Sequence, residues 1–240
     1  PGKYGLPTDE RLLPQALKEA GYRTVMVGKW HLGHADRKFW PRQRGFDYHY
    51  GAVLGEIDYF THASSGIRDW YRDNKPVKEE GYVTQLLGRD AVARIMEHDT
   101  KVPLFLYLAF TAPHAPYQAP KAYLERYKHI EDPTRRAYSA MISSMDDEIG
   151  KVVAALEKKK MRDNTLIVFM SDNGGNVSAM FSGGSERQVP MRKWMPSSAR
   201  SARPVAAGTA WMTARASAWS LRSERTSPAC ASTQTPAPTG

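Results

Sequence analysis

The sequence predicts an α/β fold: a mostly parallel central sheet flanked by helices. Three observations carry this reading. Two continuous apolar runs, Leu104–Phe110 and Thr165–Met170, have strand length and read as strands buried on both faces. Amphipathic helical segments lie between them and ahead of them. The strand-like stretches also end in polar, glycine-containing turns, as in open α/β sheets that gather ligands at the carboxyl ends of their strands.

Taken in order, Leu12 to Ala20 is a helix that accepts Pro14 in its first turn and stops at Gly21. Thr24–Val27 is a short apolar strand, followed directly by Gly28-Lys29-Trp30-His31-Leu32-Gly33. Residues 34–80 are rich in Gly, Asp, Tyr and Trp without a clear period. They read as long loops with short strands facing a substrate, where Asp58, Tyr59, Trp70, Tyr71 and Arg72 could contact a sugar or could equally be packing. Thr84 to Glu97 places Leu86, Leu87, Ala91, Ile95 and Met96 on one helical face. Pro120 to Tyr127 is a short helix. Residues 134–158 are a long one, with Tyr138, Met141, Met145, Ile149, Val152, Val153 and Leu156 at helical spacing.

The chain has 240 residues and a net charge of +9. Residues 1–176 hold 26 Lys/Arg against 23 Asp/Glu, whereas residues 177–240 hold 8 against 2. A nucleic-acid reading of the basic charge therefore rests on the tail, and no nucleic-acid partner is expected for the rest. No stretch approaches the roughly 18 apolar residues of a membrane span. Cys230 is the single cysteine, which leaves no internal disulfide and no cysteine-based zinc site. From Val177 to Gly240 there is no Ile, Tyr, Asp, Asn or His, while Ala, Ser, Arg, Pro and Thr dominate. Two units are therefore expected: residues 1–176 as a folded α/β domain, and 177–240 as a low-complexity basic tail. The tail's composition fits a coding sequence read out of frame, a disordered tail or a folded extension.

The candidate chemistry sits at the strand ends. Lys29 and His31, two apart on a glycine-fenced turn, suit an anion or the charge that develops as it is transferred. His114, in Thr111-Ala112-Pro113-His114-Ala115-Pro116, can donate to an anionic oxygen or protonate a leaving group. Asp172 and Asn173, ahead of two glycines, offer oxygen donors of the kind that hard divalent ions prefer, or form an Asx turn without an ion. Asp146 and Asp147 lie mid-helix and read as a solvated face or a helix contact. His34, His49, His62, His98 and His129 show no ligand spacing.

Residues 21–33, Gly-Tyr-Arg-Thr-Val-Met-Val-Gly-Lys-Trp-His-Leu-Gly, resemble the second signature of the type I sulfatases across all thirteen positions. Arg44-Gly45-Phe46-Asp47, Asp58-Tyr59, the His114 segment, Met145-Asp146 and Ser171-Asp172-Asn173-Gly174-Gly175 follow in family order. The resemblance spans residues 5–176, and Pro103 to Leu156 is similar to the arylsulfatase B, or N-acetylgalactosamine-4-sulfatase, branch. It implies an alkaline-phosphatase-like fold and hydrolysis of a sulfate monoester, on a sulfated amino sugar or glycosaminoglycan. The implied catalytic groups are Lys29, His31 and His114, with Lys29 and His114 also binding substrate. Asp172 and Asn173 would be ligands to one Ca²⁺.

The family nucleophile is a formylglycine made in a Cys-x-Pro-x-Arg motif, which is absent here; Cys230 lies in Ala-Cys-Ala. The family's early calcium-binding aspartates are also missing. A later Pro-Leu-Arg-x-x-Lys lysine has only a mis-spaced echo in Val189–Lys193. The chain opens on Pro1 rather than Met, and it is expected to be an incomplete and inactive sulfatase. Family habit implies a periplasmic, secreted or lysosomal setting. A metal-dependent phosphoric ester hydrolase of the same superfamily is the competing enzyme class.

Overall fold

A computed structural model describes residues 5–172 and the backbone of residues 211–215. Helix α1 (Leu13–Glu19) leads into strand β1 (Arg23–Gly28). Pro14 sits in the first turn of α1, and the backbone N–H of Leu12 donates to the Gln15 side chain at 2.8 Å. Gly21, at φ 85°, turns the chain out of the helix as expected.

Strand β2 (Tyr48–Gly51) follows, then two small hairpins: β3 (Ala63–Ser64) with β4 (Ile67–Arg68), and β5 (Tyr71–Arg72) with β6 (Lys75–Pro76). Helix α2 (Val83–Glu97) crosses to β7 (Leu104–Ala109). Next come α3 (Lys121–Arg126), the long α4 (Pro133–Lys158) and β8 (Thr165–Val168). Residues 211–215 form β9, inside the region expected to be a tail. Asp132 caps α4 by accepting from the Arg135 N–H at 2.7 Å, with Pro133 in the first turn.

The main sheet runs β6-β5-β2-β1-β7-β9-β8. β1 pairs in parallel with both β2 and β7, whereas β9 lies antiparallel to β7 and to β8. Two antiparallel steps restore direction, so β8 points the same way as β1, β2 and β7. The carboxyl ends of β1, β7 and β8 thus share one edge.

Alternation along the strands splits the core in two. Val25 and Val27 of β1 and Leu104, Leu106 and Leu108 of β7 face α2 and α4, and pack with Leu87, Ile95, Met141 and Leu156. Met26 and Phe105 face the other way, where Trp30 and Phe46 join them and Leu12 and Leu17 border the cluster. One part of the sequence reading needs correcting. β8 is not buried on both faces, since its burial is partial throughout and Leu166 is 60% exposed. An apolar run alone cannot distinguish a central strand from one that ends the sheet among the described residues.

Asp147 makes a helix contact, one of the two readings its sequence position offers. It accepts from the Tyr123 hydroxyl at 2.9 Å and pairs with Arg126, tying α4 to α3. α2 and α4 approach closely because Gly88 faces Glu148. A Cβ at Gly88 would lie 2.6 Å from the Glu148 Cβ and 2.8 Å from its Cγ. Burial raises the Glu148 carboxyl, opposed by the Lys151 ammonium 2.6 Å away.

Gly88→Ala is expected to cost about 1–3 kcal/mol of stability through overpacking. Gly150→Ala, in α4 with nothing near the added methyl, should gain about 0.5–1 kcal/mol from helix propensity. Urea denaturation of the two variants separates space from backbone entropy. A second expectation concerns His49, fully buried in β2 with its ring against the carbonyls of Asp73 and Gly28 but short of good hydrogen-bond geometry. Burial brings its pKa from 6.5 down to about 4. The unfolded chain therefore takes up a proton that the folded chain refuses. Stability is full above pH 6.5 and falls as pH drops toward 4. His49→Leu should flatten the stability profile across that window, as read from urea midpoints at pH 7, 6 and 5.

Candidate active site

The turn after β1 is built around Trp30. Its indole is buried against Phe46, and Nε1 donates to the Phe39 carbonyl at 2.7 Å. Lys29 and His31 flank this anchor, the first half-buried and the second exposed. Three successive backbone N–H groups fix the turn: Lys29 donates to Ala109 at 2.8 Å, Trp30 to Ala52 at 3.0 Å and His31 to Val53 at 3.2 Å. Gly28, at φ 127°, permits the close approach of β7, because a Cβ there would sit 2.5 Å from the Ala109 carbonyl carbon.

His114 follows β7 on a turn closed by its own N–H to the Thr111 carbonyl at 3.0 Å. The buried Tyr59 hydroxyl donates to the His114 carbonyl at 2.9 Å, and the Tyr59 N–H donates to the Gln118 side chain at 2.8 Å. The His114 Nδ1 lies 2.7 Å from the Ala115 carbonyl. A carbonyl only accepts, so Nδ1 carries the proton and Nε2 is left to exchange one with a ligand. Asp172 lies just past β8, exposed at the same edge. Asn173 lies outside the described residues.

Several of these groups act on one another electrostatically. Partial burial lowers the Lys29 pKa, opposed by the negative charges of Asp172 and Glu56. Desolvation also lowers His31, helped by Lys29, His114 and His34 and opposed by Asp172. The charges of Lys29, His114 and Asp172 thus all reach His31, and that of Asp172 reaches Lys29. Glu56 and His34 also belong to this cluster, and sequence reasoning missed both. Only the Val53–Glu56 segment folding back over His31 reveals Glu56. His34 has no partner at helical or strand spacing.

Residues of the 34–80 region expected either to face substrate or to pack mostly pack. Tyr59 and Trp70 are fully buried. Trp70 donates to Glu79 at 2.7 Å, and Arg72 binds Asp90 at 2.7 Å and the Tyr48 hydroxyl. Burial would raise Asp58, but N–H donors from Gln118, Thr61 and Phe60 bring it down to about 2. Tyr71 packs edge-on against Trp40 with centroids 4.8 Å apart.

Among the described residues, no group of three or more His, Cys, Asp or Glu side chains is arranged to hold a metal ion. Asp172 is an oxygen donor of the right kind for a hard cation. It is a single donor toward a shell of six to eight.

Residues 3–214 match the Sulfatase family, a span that runs past residue 176 and takes in most of β9. The chain is 42% identical over 188 residues to arylsulfatase J of Mus musculus, covering 75% of this chain and 31% of that protein. It is 36% identical over 194 residues to the N-acetylgalactosamine-6-sulfatase of Homo sapiens, covering 75% and 36% respectively. The crystal structure of Ps i-CgsB in complex with k-i-k-neocarrahexaose superposes with a TM-score of 0.67 at 30% identity, over 90% of this chain and 49% of that one. The chain therefore spans about a third of the length of these curated relatives. No helix among the described residues is long and apolar enough to cross a membrane. A lysine and two histidines converge with a carboxylate at one sheet edge, and the family match runs through all of them: the chain belongs to the sulfatase family.

Proposed function

We propose that this chain carries the sulfate-binding wall of a sulfuric ester hydrolase acting on the sulfate monoester of a sulfated carbohydrate. The observation that carries the reading is the convergence of Lys29, His31 and His114 at the carboxyl ends of β1 and β7. A relative named N-acetylgalactosamine-6-sulfatase, and a structural neighbour in complex with k-i-k-neocarrahexaose, support the substrate class.

Lys29 supplies the fixed positive charge. Its half-buried ammonium meets sulfate oxygens in a setting where attraction is screened less than in open water. His31 adds a second donor on the same turn. His114 serves as the acid for the departing alcohol, with its Nδ1 proton held on Ala115 and Nε2 giving up the proton that the leaving oxygen needs. Asp172 and Asn173 would hold a Ca²⁺ ion, which contributes charge stabilisation for the bound sulfate. Formylglycine, the nucleophile that the family resemblance implies, would supply attack on sulfur. No Cys-x-Pro-x-Arg occurs in the 240 residues, and no residue of this chain is given that task.

The test is an NMR titration of the full 240-residue chain, with labelled histidine and lysine side chains, against inorganic sulfate. Lys29→Ala is expected to weaken sulfate binding by about tenfold or more, as for loss of a hydrogen bond to a charged group. His114→Ala should weaken it less. Arg23→Ala, at the opposite end of β1, should change nothing. Equal sulfate affinity in wild type and Lys29→Ala removes the reading. A strong preference for inorganic phosphate over sulfate transfers it to phosphoric esters.

A further inference from the structure

The His31 backbone sits at φ 56°, a left-handed conformation uncommon for a residue with a side chain. Such a residue persists only where its surroundings over-determine it. The segment Ala52–Gly55 supplies that constraint. Ala52 and Val53 accept the N–H groups of Trp30 and His31, so the two chain segments run against each other.

Gly55 then lies directly under the imidazole. A Cβ at Gly55 would fall within 3.0 Å of His31 Cε1, Nε2 and Nδ1, with Nδ1 at 2.8 Å. Gly55 is not among the glycines of positive φ. Glycine is needed there for space, not for backbone conformation.

The segment is itself anchored from below. Asp69 is 2% exposed and spends both carboxylate oxygens on it. Oδ1 accepts the Val53 N–H at 3.1 Å and Oδ2 accepts the Leu54 N–H at 2.8 Å. The Asp69 N–H in turn donates to the His62 carbonyl at 3.0 Å, which ties the arrangement to the β3–β4 hairpin.

We infer that Gly55, with Asp69 beneath its segment, is a positioning residue. The bare backbone of Gly55 is the shelf on which the His31 ring is set toward Lys29 and His114. The inference rests on the reading of His31 as part of a sulfate pocket. The three atoms nearest a methyl at Gly55 all belong to the His31 ring, the far end of a side chain that can swing away. The fold should survive the substitution while the ring loses its place.

The experiment follows the His31 ring signals in the full chain, labelled at histidine and assigned with His31→Gln. Four proteins are compared: wild type, Gly55→Ala, Asp69→Asn and the remote Gly150→Ala. Gly55→Ala is expected to keep the wild-type melting temperature and to shift the His31 ring resonances. It should raise the dissociation constant for inorganic sulfate about threefold to tenfold. Asp69→Asn, which retains one acceptor oxygen, should shift the same resonances in the same direction by less. Gly150→Ala should leave them in place. Unchanged His31 resonances in Gly55→Ala overturn the positioning role. So does a shift accompanied by an equal disturbance of His98, at the far end of α2. Ring displacement together with no sulfate response in wild type upholds the shelf and overturns the sulfate reading, so the two failures are distinguishable.

Discussion

Gly28 and Ala109 lie side by side at the ends of β1 and β7, and the site depends on that pairing. The register from Arg23↔Leu104 to Gly28↔Ala109 runs the full length of both strands. At its last rung the Ala109 carbonyl occupies space that any side chain on residue 28 would fill, and it accepts the Lys29 N–H. Gly51 fits against Gly28 from the other side in the same way, with a Cβ there falling 2.8 Å from the Gly28 carbonyl carbon. Three strand ends are therefore drawn together more tightly than side chains would permit. Lys29, His31 and His114 reach a common space because backbone fills the gap between their strands.

The scaffold behind this edge divides its labour by face. On the α2–α4 face, aliphatic side chains of alternate strand positions meet two amphipathic helices. Their close approach at Gly88 places the Glu148 carboxylate within the interface, answered by Lys151 from one turn on. On the other face, aromatic rings predominate: Phe46 stacks with Phe105 at 6.0 Å and meets Trp30 edge-on at 6.1 Å. Trp30 belongs to both the core and the site. Its burial holds the middle of the Lys-Trp-His triplet, so the residues on either side stay at the surface. Burying the ring stabilises the fold, and the same contact fixes the turn that carries the chemistry.

Much of this was legible from residue order. The helix limits at Gly21 and around residues 83–97 and 133–158 follow from apolar period, proline placement and glycine stops, which are local effects. The placement of Lys29, His31 and His114 at strand ends was legible because motif and preceding strand agree. The apolar run at 165–170 was misread as doubly buried, since whether a strand is covered depends on its neighbours in the sheet. Tyr59 and Trp70 left both readings open, a surface for a sugar or simple packing, because an aromatic in a loop can do either. Glu56 and Gly55 gave no signal. Their relevance comes from a return of the chain more than twenty residues after His31.

By itself the sequence determined the fold class, the chemistry of the strand-end turns and the family. These depend on period, on residue type and on a thirteen-residue motif whose members are near in the chain. The tertiary structure decided which groups share the space: that Asp172 and Glu56 act on Lys29, that His34 and His114 act on His31, and that Gly55 lies under the imidazole. The physical reason is range. Helix and strand formation answer to neighbours a few residues away. The charge and shape of the site come from segments that meet only because β1, β7 and β8 run in one direction and end at one edge.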